Sequence, residues 1–181
     1  MKRAVFVRML TFLVLVGAIL GARAVALPVS GVTRPDVQLT DAWDRSIRLS
    51  TYVGMPLLVV YEDKGSSSQN AALKQDLAVL ARGDRYKKLI ALVAVADVTG
   101  YDYWPIRGFV RSAIRSESTR QSTVIYCDWD GHVRTALGLE QGQSNVVLYA
   151  KDGSVLYAHA GPMTAEERTT FIAKLRDQVE R

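Results

Sequence analysis

Cysteine is nearly missing from this chain: its 181 residues hold one, Cys127. A single thiol excludes an internal disulfide framework and any dithiol pair. Histidine is almost as scarce. His132 and His159 lie far apart with no ligand spacing, so no zinc site is inferred and neither metal nor cofactor is expected. Nothing resembles the strand–Gly-x-Ser-x-Gly–helix elbow of a serine hydrolase. Repeats and low-complexity tracts are absent, and past residue 26 no apolar run is long enough to span a bilayer. An excess of positive charge is also missing once its location is considered. The whole chain carries 23 Lys and Arg against 18 Asp and Glu, but Lys2, Arg3, Arg8 and Arg23 sit in a leading segment without acids. The remainder has 19 basic and 18 acidic residues, so nucleic-acid binding is not expected.

That leading segment has the three ordered parts of a secretory signal. Lys2, Arg3 and Arg8 form a positive start, Met9 to Ala22 an apolar stretch, and Ala24-Val25-Ala26 a small-x-small cleavage pattern. Fourteen helical residues span about 21 Å, short of a hydrocarbon core of about 30 Å. Residues 1–26 are therefore read as a signal peptide removed after Ala26, leaving no membrane anchor. The expected destination is the periplasm if the host has an outer membrane, and the exterior otherwise.

Residues 27–36 read as a loosely held leader, and 37–181 as one domain. Val37–Thr40 and Ile47–Leu49 flank a turn like a hairpin, and Leu57–Tyr61 is a continuous apolar run typical of a strand buried on both faces. Leu73, Leu77 and Leu80 predict a helix capped by Ser66 or Ser67 and stopped by Gly83. Leu89–Val98 predicts a second buried strand. Pro105 opens a helix with Ile106, Phe109, Val110, Ala113 and Ile114 on one face. Thr123–Cys127 is a third strand, and Lys151-Asp152-Gly153 joins two more as a hairpin. Thr164-Ala-Glu-Glu167 is a capping box before a helix whose core face is Phe171, Ile172, Leu175 and Val179. Strands alternating with helices imply an α/β domain with a mixed sheet.

The stretch from Val37 to Gln69 resembles the start of a redoxin domain of the thioredoxin superfamily. Its Gly54-Met55-Pro56 is similar to the Gly-Lys-Pro step before that family's first core strand. The stretch Val124–Gly161 resembles the redoxin succession of strand, Asp-x-x-Gly turn, Leu-Gly, loop and Asp-Gly hairpin. Closer still is the YtfJ type of exported thioredoxin-like proteins, through Gly108–Ser112 (GFVRS), Ser144–Leu148 (SNVVL), Lys151–Gly153 and Gly161–Glu167. The resemblance implies a thioredoxin-like fold, a mixed central sheet flanked by helices with an N-terminal β-hairpin. It also implies that a Cys-x-x-Cys belongs where this chain has Gly65, Ser66, Ser67 and Ser68. Gly65 and Ser68 stand at the two thiol positions, and Asn145 stands where such domains carry a cis-proline. A serine hydroxyl does not ionise as a thiolate does. Redox catalysis is therefore expected to be lost.

The reading is a non-catalytic thioredoxin-like module that binds a protein or peptide partner of the cell envelope. Its expected surface comprises Glu62, Asp63, Lys64 and the turn to Ser68, then Tyr101, Tyr103, Trp104 and Arg107, and finally Ser144 and Asn145. Aromatic and Arg residues are what interface cores collect. An anion site at the serine-rich helix start is set aside, because capping accounts for the serines and Glu62 and Asp63 repel anions. The alternative is a thiol-disulfide or peroxide redox protein working through Cys127 alone. Against it, Cys127 lies in an apolar strand beside Asp128, the wrong surroundings for a reactive thiol. Asp128-Trp-Asp130-Gly131 is similar to the opening of a calcium loop, but Leu139 stands where that loop needs Glu, so it is read as a turn.

Overall fold

A computed structural model describes residues 27–82 and 84–180, so the signal-peptide reading of residues 1–26 lies outside the described residues. The strands are β1 (Gln38–Thr40), β2 (Ser46–Arg48), β3 (Leu57–Glu62), β4 (Ala91–Asp97), β5 (Ile125–Asp128), β6 (Asn145–Tyr149) and β7 (Val155–Ala160). The helices are α1 (Ala71–Leu80), α2 (Asp84–Leu89), α3 (Ile106–Gln121), α4 (His132–Leu137) and α5 (Ala165–Glu180). β3–β7 form one sheet in the order β5-β4-β3-β6-β7. β3, β4 and β5 run parallel, while β6 and β7 are antiparallel additions. This is the expected mixed α/β sheet with its N-terminal hairpin.

Alternation along the strands divides the core in two. Leu57, Val59 and Tyr61 face one side with Val93, Val95, Val147 and Tyr149, packed against Leu39, Leu49 and α4 residues Val133 and Leu137. Leu58 faces the other side with Val146 and Leu148, under Leu73 of α1 and Phe171 and Leu175 of α5. A smaller cluster of Ala42, Val98, Ile114 and Cys127 lies under α3. Gly54 and Gly153 take positive φ in the turns entering β3 and joining β6 to β7, as a residue without Cβ allows. The capping box forms: Thr164 N–H donates to Glu167 Oε2 at 2.7 Å and Glu167 N–H to Thr164 Oγ1 at 3.2 Å.

Four expectations are corrected. Residues 27–36 include a pinned segment: Thr33 bridges to Ser154, Gly31 N–H bonds to Val155 O, and the buried Arg34 donates to Leu49 O at 3.0 Å. Its guanidinium also lies over the Tyr149 ring, 5.6 Å from the centroid. Asp84–Leu89 form a short helix, so β4 starts at Ala91 rather than Leu89. On α3 the expected stripe is only partly its core face: Ile114 is buried and Val110 packs beside it, Ser118 joins them inside, and Phe109 is 70 % exposed. No serine caps α1: Asn70 precedes it without a side-chain capping bond, and Ser66 instead closes an upstream turn with Asp63. Ser66 N–H donates to Asp63 Oδ1 at 2.6 Å, and Asp63 N–H donates back to Ser66 Oγ at 3.0 Å.

The hairpin turn is closed by Asp41, which also bridges to Tyr126 of β5. Its Oδ1 accepts Trp43 N–H at 2.8 Å and Arg45 N–H at 3.0 Å, and its Oδ2 accepts Arg45 Nε at 2.7 Å. Burial alone would raise this carboxyl, but those donors outweigh it and hold it below its ordinary value of 3.8. A depressed folded pKa gives stability that is present above the unfolded value and lost as pH falls through the folded one. Acid titration should therefore weaken the chain progressively below about pH 4, and Asp41→Asn should flatten that part of the profile. Denaturant midpoints measured at successive pH values check this; an unchanged acid limb in the variant would refute it.

Candidate functional site

The carboxyl ends of β3, β4 and β5, the start of β6 and the end of β7 meet at one edge of the sheet, where open α/β sheets place ligands. Polar side chains collect there in two groups, one on each side of β3.

The first group occupies the ground expected for a redox centre. Glu62, the last residue of β3, accepts Ser144 Oγ–H on Oε1 at 2.6 Å and Lys74 Nζ on Oε2 at 2.6 Å. Asn70 Nδ2 donates to Ser144 Oγ and to Gly161 O, both at 2.9 Å, and its Oδ1 accepts Met163 N–H at 2.9 Å. Ser144 N–H donates to Gln69 Oε1 at 2.8 Å, and Ser144 O accepts Gly161 N–H at 3.0 Å. Ser144 is wholly buried with its hydroxyl proton committed to Glu62, so it is not an open nucleophile. Ser144 and Asn145 therefore lie beneath the expected binding surface rather than on it.

The degenerate motif positions are locally satisfied. Residues 64–70 run as consecutive turns into α1, with Gln69 N–H bonded to Ser66 O and Ala71 N–H to Ser68 O. Ser66 is buried against Asp63, Ser67 Oγ donates to Lys64 O at 3.0 Å, and Lys64, Gly65 and Ser68 are exposed. Asn145 starts β6 opposite Tyr61. Its Nδ2 donates to Glu140 O at 2.8 Å and Gln143 O at 2.9 Å, and its Oδ1 accepts Glu140 N–H at 2.8 Å. That side chain closes the loop before β6. The cis peptide among the described residues is Trp104–Pro105.

On the other side of β3, Tyr61 O–H donates to Asp128 Oδ2 at 3.0 Å, and burial beside the Asp128 and Asp97 carboxylates pushes its pKa far up. Arg134 N–H also donates to Asp128 Oδ2 at 3.0 Å. Asp97 accepts Thr99 N–H and O–H and pairs with Arg134 Nη1 at 3.0 Å. Burial opposes ionisation of Asp97, but these donors prevail and hold it below its ordinary range. His132 lies within 2.6 Å of Asp130 through Nδ1 and 2.9 Å of Gln38 O through Nε2.

Cys127 points into the cluster under α3 at 3 % exposure, and burial pushes its thiol up to about 11. The aromatic loop behaves differently. Trp104 is 91 % exposed and Tyr103 57 %, with Tyr101 and Phe109 also open to solvent. Arg107 pairs with Asp102, and its guanidinium stacks over the Trp129 ring at 4.7 Å.

Sequence reasoning missed Asn70, Lys74, Gln69, Asp97 and Arg134. Asn70 directly precedes the Leu73/Leu77/Leu80 helix, the one signal available, yet its side chain makes no capping bond and is spent on distant segments.

The sequence model of a family described as "Bacterial protein of unknown function (YtfJ_HI0045)" matches residues 66–178, more than half of the chain. No curated protein matches it in sequence. Among solved structures it is similar to protein SMc02350 from Sinorhizobium meliloti 1021, with TM-score 0.61, 17 % identity and 86 % of each chain covered. It is also similar to a secreted Mycobacterium tuberculosis disulfide oxidoreductase homologous to E. coli DsbE, with TM-score 0.56, 15 % identity, 78 % of this chain and 95 % of that one. A third is the pneumococcal exposed lipoprotein thioredoxin Etrx1 from Streptococcus pneumoniae, with TM-score 0.53, 15 % identity, 79 % and 99 %. At these identities the likeness establishes a thioredoxin-like fold alone.

Replacing Asn70 by Ala removes a donor to Gly161 O and an acceptor for Met163 N–H, leaving both buried groups unpaired. We expect a loss of about 2–4 kcal/mol in unfolding free energy, read by denaturant titration. A Lys74→Met change, which removes a half-exposed ion pair, should cost under about 1 kcal/mol. Equal losses in the two variants would refute the ranking.

Proposed function

The chain belongs to the YtfJ family of bacterial proteins, and from that premise we propose that it is an exported, non-catalytic thioredoxin-like domain that binds a protein or peptide partner in the cell envelope. The signal-like segment at residues 1–26 supports export, to the periplasm where an outer membrane exists and to the exterior otherwise. Among the described residues no helix is long and apolar enough to cross a membrane.

The observation that carries the proposal is the closed hydrogen-bond network of Glu62, Asn70, Lys74 and Ser144. It fills the sheet edge where Gly65 and Ser68 replace the thiols of a redox-active relative. A catalyst keeps a reactive atom accessible there. This chain ties the same ground down with bonds that no substrate has to replace. The exposed Tyr101, Tyr103 and Trp104 on the loop leaving β4 offer the aromatic area on which interface energetics concentrate. Arg107, braced by Asp102 and Trp129, is an ordered cation beside them. Its fixed geometry lowers the entropy lost on contact.

Two outcomes check this. The purified protein should reduce no insulin disulfide and turn over no peroxide, and Cys127 in the folded chain should resist alkylation at pH 8 while reacting at once in denaturant. Fast native alkylation would favour the single-thiol alternative instead. In crosslinking from envelope extract, wild type should capture a partner that a Trp104→Ala, Arg107→Ala variant of unchanged stability does not. An identical capture pattern would remove the aromatic loop from the interface.

A further inference from the structure

The carboxyl end of β5 carries an arrangement that the partner-binding reading does not use. Asp128 is wholly buried, and its two oxygens are treated unequally. Oδ2 accepts from Tyr61 and from Arg134 N–H, while Oδ1 has no hydrogen-bond partner. A buried anionic oxygen left unpaired is costly, and native structures seldom keep one without a reason. This oxygen faces His132 Nδ1 at 3.3 Å, and Asp130 Oδ1 lies 2.6 Å from the same nitrogen. The three ligand-type atoms fall within 4.8 Å of one another.

The imidazole is oriented for coordination. Its Nε2 lies 2.9 Å from Gln38 O, a carbonyl that can only accept, so Nε2 carries a proton. That leaves Nδ1 as the atom turned toward two carboxylates. A ring whose far nitrogen donates to a backbone carbonyl, with its near nitrogen among carboxylates, is the arrangement that fixes a metal-ligating histidine. Donors around one ion of zinc size are separated by about 3.0–3.4 Å at bond lengths of about 2.1 Å. The spacing to Asp128 already fits, and the spacing to Asp130 requires a small opening of that exposed side chain.

Charge agrees with the geometry. Asp97, the other carboxylate at this end, is neutralised by Arg134, and Arg134 Nη1 is thereby committed to it. The 2.6 Å contact between His132 Nδ1 and Asp130 holds a proton in the metal-free chain; an ion that displaces it leaves a neutral imidazole and the two negative charges of Asp128 and Asp130, which one divalent cation balances. Gly131 takes positive φ between the second acid and the histidine, and a Cβ there would meet Arg134 Nη2 at 2.8 Å, so the turn that aims His132 depends on glycine.

We propose that Asp128, Asp130 and His132 form a binding site for a borderline first-row divalent cation of the zinc type. Two carboxylate oxygens and one imidazole nitrogen suit such an ion better than calcium or magnesium, which take oxygen ligands. Asp130 and His132 are partly exposed, so the remaining coordination positions open to water or to a donor from a bound protein. Because His132 also bonds to Gln38 of β1, the ion would clamp the N-terminal hairpin to the end of β5.

The test is a zinc titration of the chain purified from its host and freed of metal with a chelator, followed by imidazole NMR. The sequence has two histidines, and His159, whose Nδ1 lies 3.7 Å from Glu167 Oε1, serves as internal control. The expected result is a saturable one-to-one shift of the His132 signals with His159 unchanged, together with a rise in melting temperature. His132→Gln and Asp130→Asn remove exposed side chains, and each should weaken binding roughly tenfold or more. Asp128→Asn, which also disturbs Tyr61 and Arg134, is read only after its fold is checked by circular dichroism. Absence of a saturable His132 shift, binding unchanged in His132→Gln, or equal affinity for magnesium would overturn the proposal.

Discussion

Asn70 has two amide hydrogens and one carbonyl oxygen, and all three are spent on chain more than seventy residues away. Ser144 precedes β6, while Gly161 and Met163 follow β7, so one side chain holds the start of α1 against both antiparallel strands. The bond from Ser144 to Glu62 then returns to β3, and Lys74 joins that carboxylate to the first turns of α1. A loop of hydrogen bonds thus runs β3, β6, α1 and back, buried at Asn70 and Ser144 and reaching solvent at Lys74. Buried polar networks stabilise only when every member is satisfied. Here Ser144 uses its hydroxyl, its N–H and its carbonyl, and Asn70 uses both ends of its amide. Losing Asn70 or Ser144, both buried, leaves its partners unpaired in a low dielectric, so the register of the sheet edge depends on that pair.

Strand alternation sends consecutive residues of β3 to opposite chemistries. Tyr61 points toward Asp128 and Glu62 toward Ser144, so two polar clusters sit back to back across one strand. They differ in kind. The Glu62 cluster is saturated. The Tyr61 cluster contains the unpaired Asp128 Oδ1 and the half-exposed His132. A thioredoxin-like catalyst concentrates reactivity on the side where α1 begins. In this chain that side is closed, and the unfilled polar valence lies on the side where β5 leads into α4.

Elements whose signal is local were legible in the sequence. The Leu57–Tyr61 run, the Thr164/Glu167 capping box and the Lys151–Gly153 hairpin each depend on residues within a few positions of one another, and each forms where the pattern places it. The resemblance supplied the fold as a whole, which periodicity could not. What was missed depends on distance. Asn70 has no role until Gly161 and Met163 are folded over it, and Arg34 reads as part of a loose leader until Tyr149 lies beneath it. Phe109 misled for a related reason. A 3.6-residue stripe states that a helix has an apolar face, but not how much of it the protein's own core covers, and here Val110 and Ile114 pack inward with Ser118 while Phe109 stays outside.

That exposed stripe bears on what kind of protein this is. Trp104 and Phe109 lie within two turns of one another at the start of α3, both largely in water, while Leu39, Tyr61 and Phe171 are fully buried. The fold therefore has no shortage of interior, and keeping two large aromatic rings outside forgoes about 1.5–3 kcal/mol for each ring left unburied. Electrostatics hold the neighbourhood in shape: Arg107 is fixed by Asp102 and Trp129, and Arg111 clamps Asp44 of the hairpin turn at 2.8 and 2.9 Å. Cations already fixed beside an exposed aromatic surface have little left to order at an encounter, a condition that favours affinity. The same sheet edge that is filled by hydrogen bonds at Ser144 carries open apolar area at Trp104, and the proposed binding without turnover gives both features a purpose.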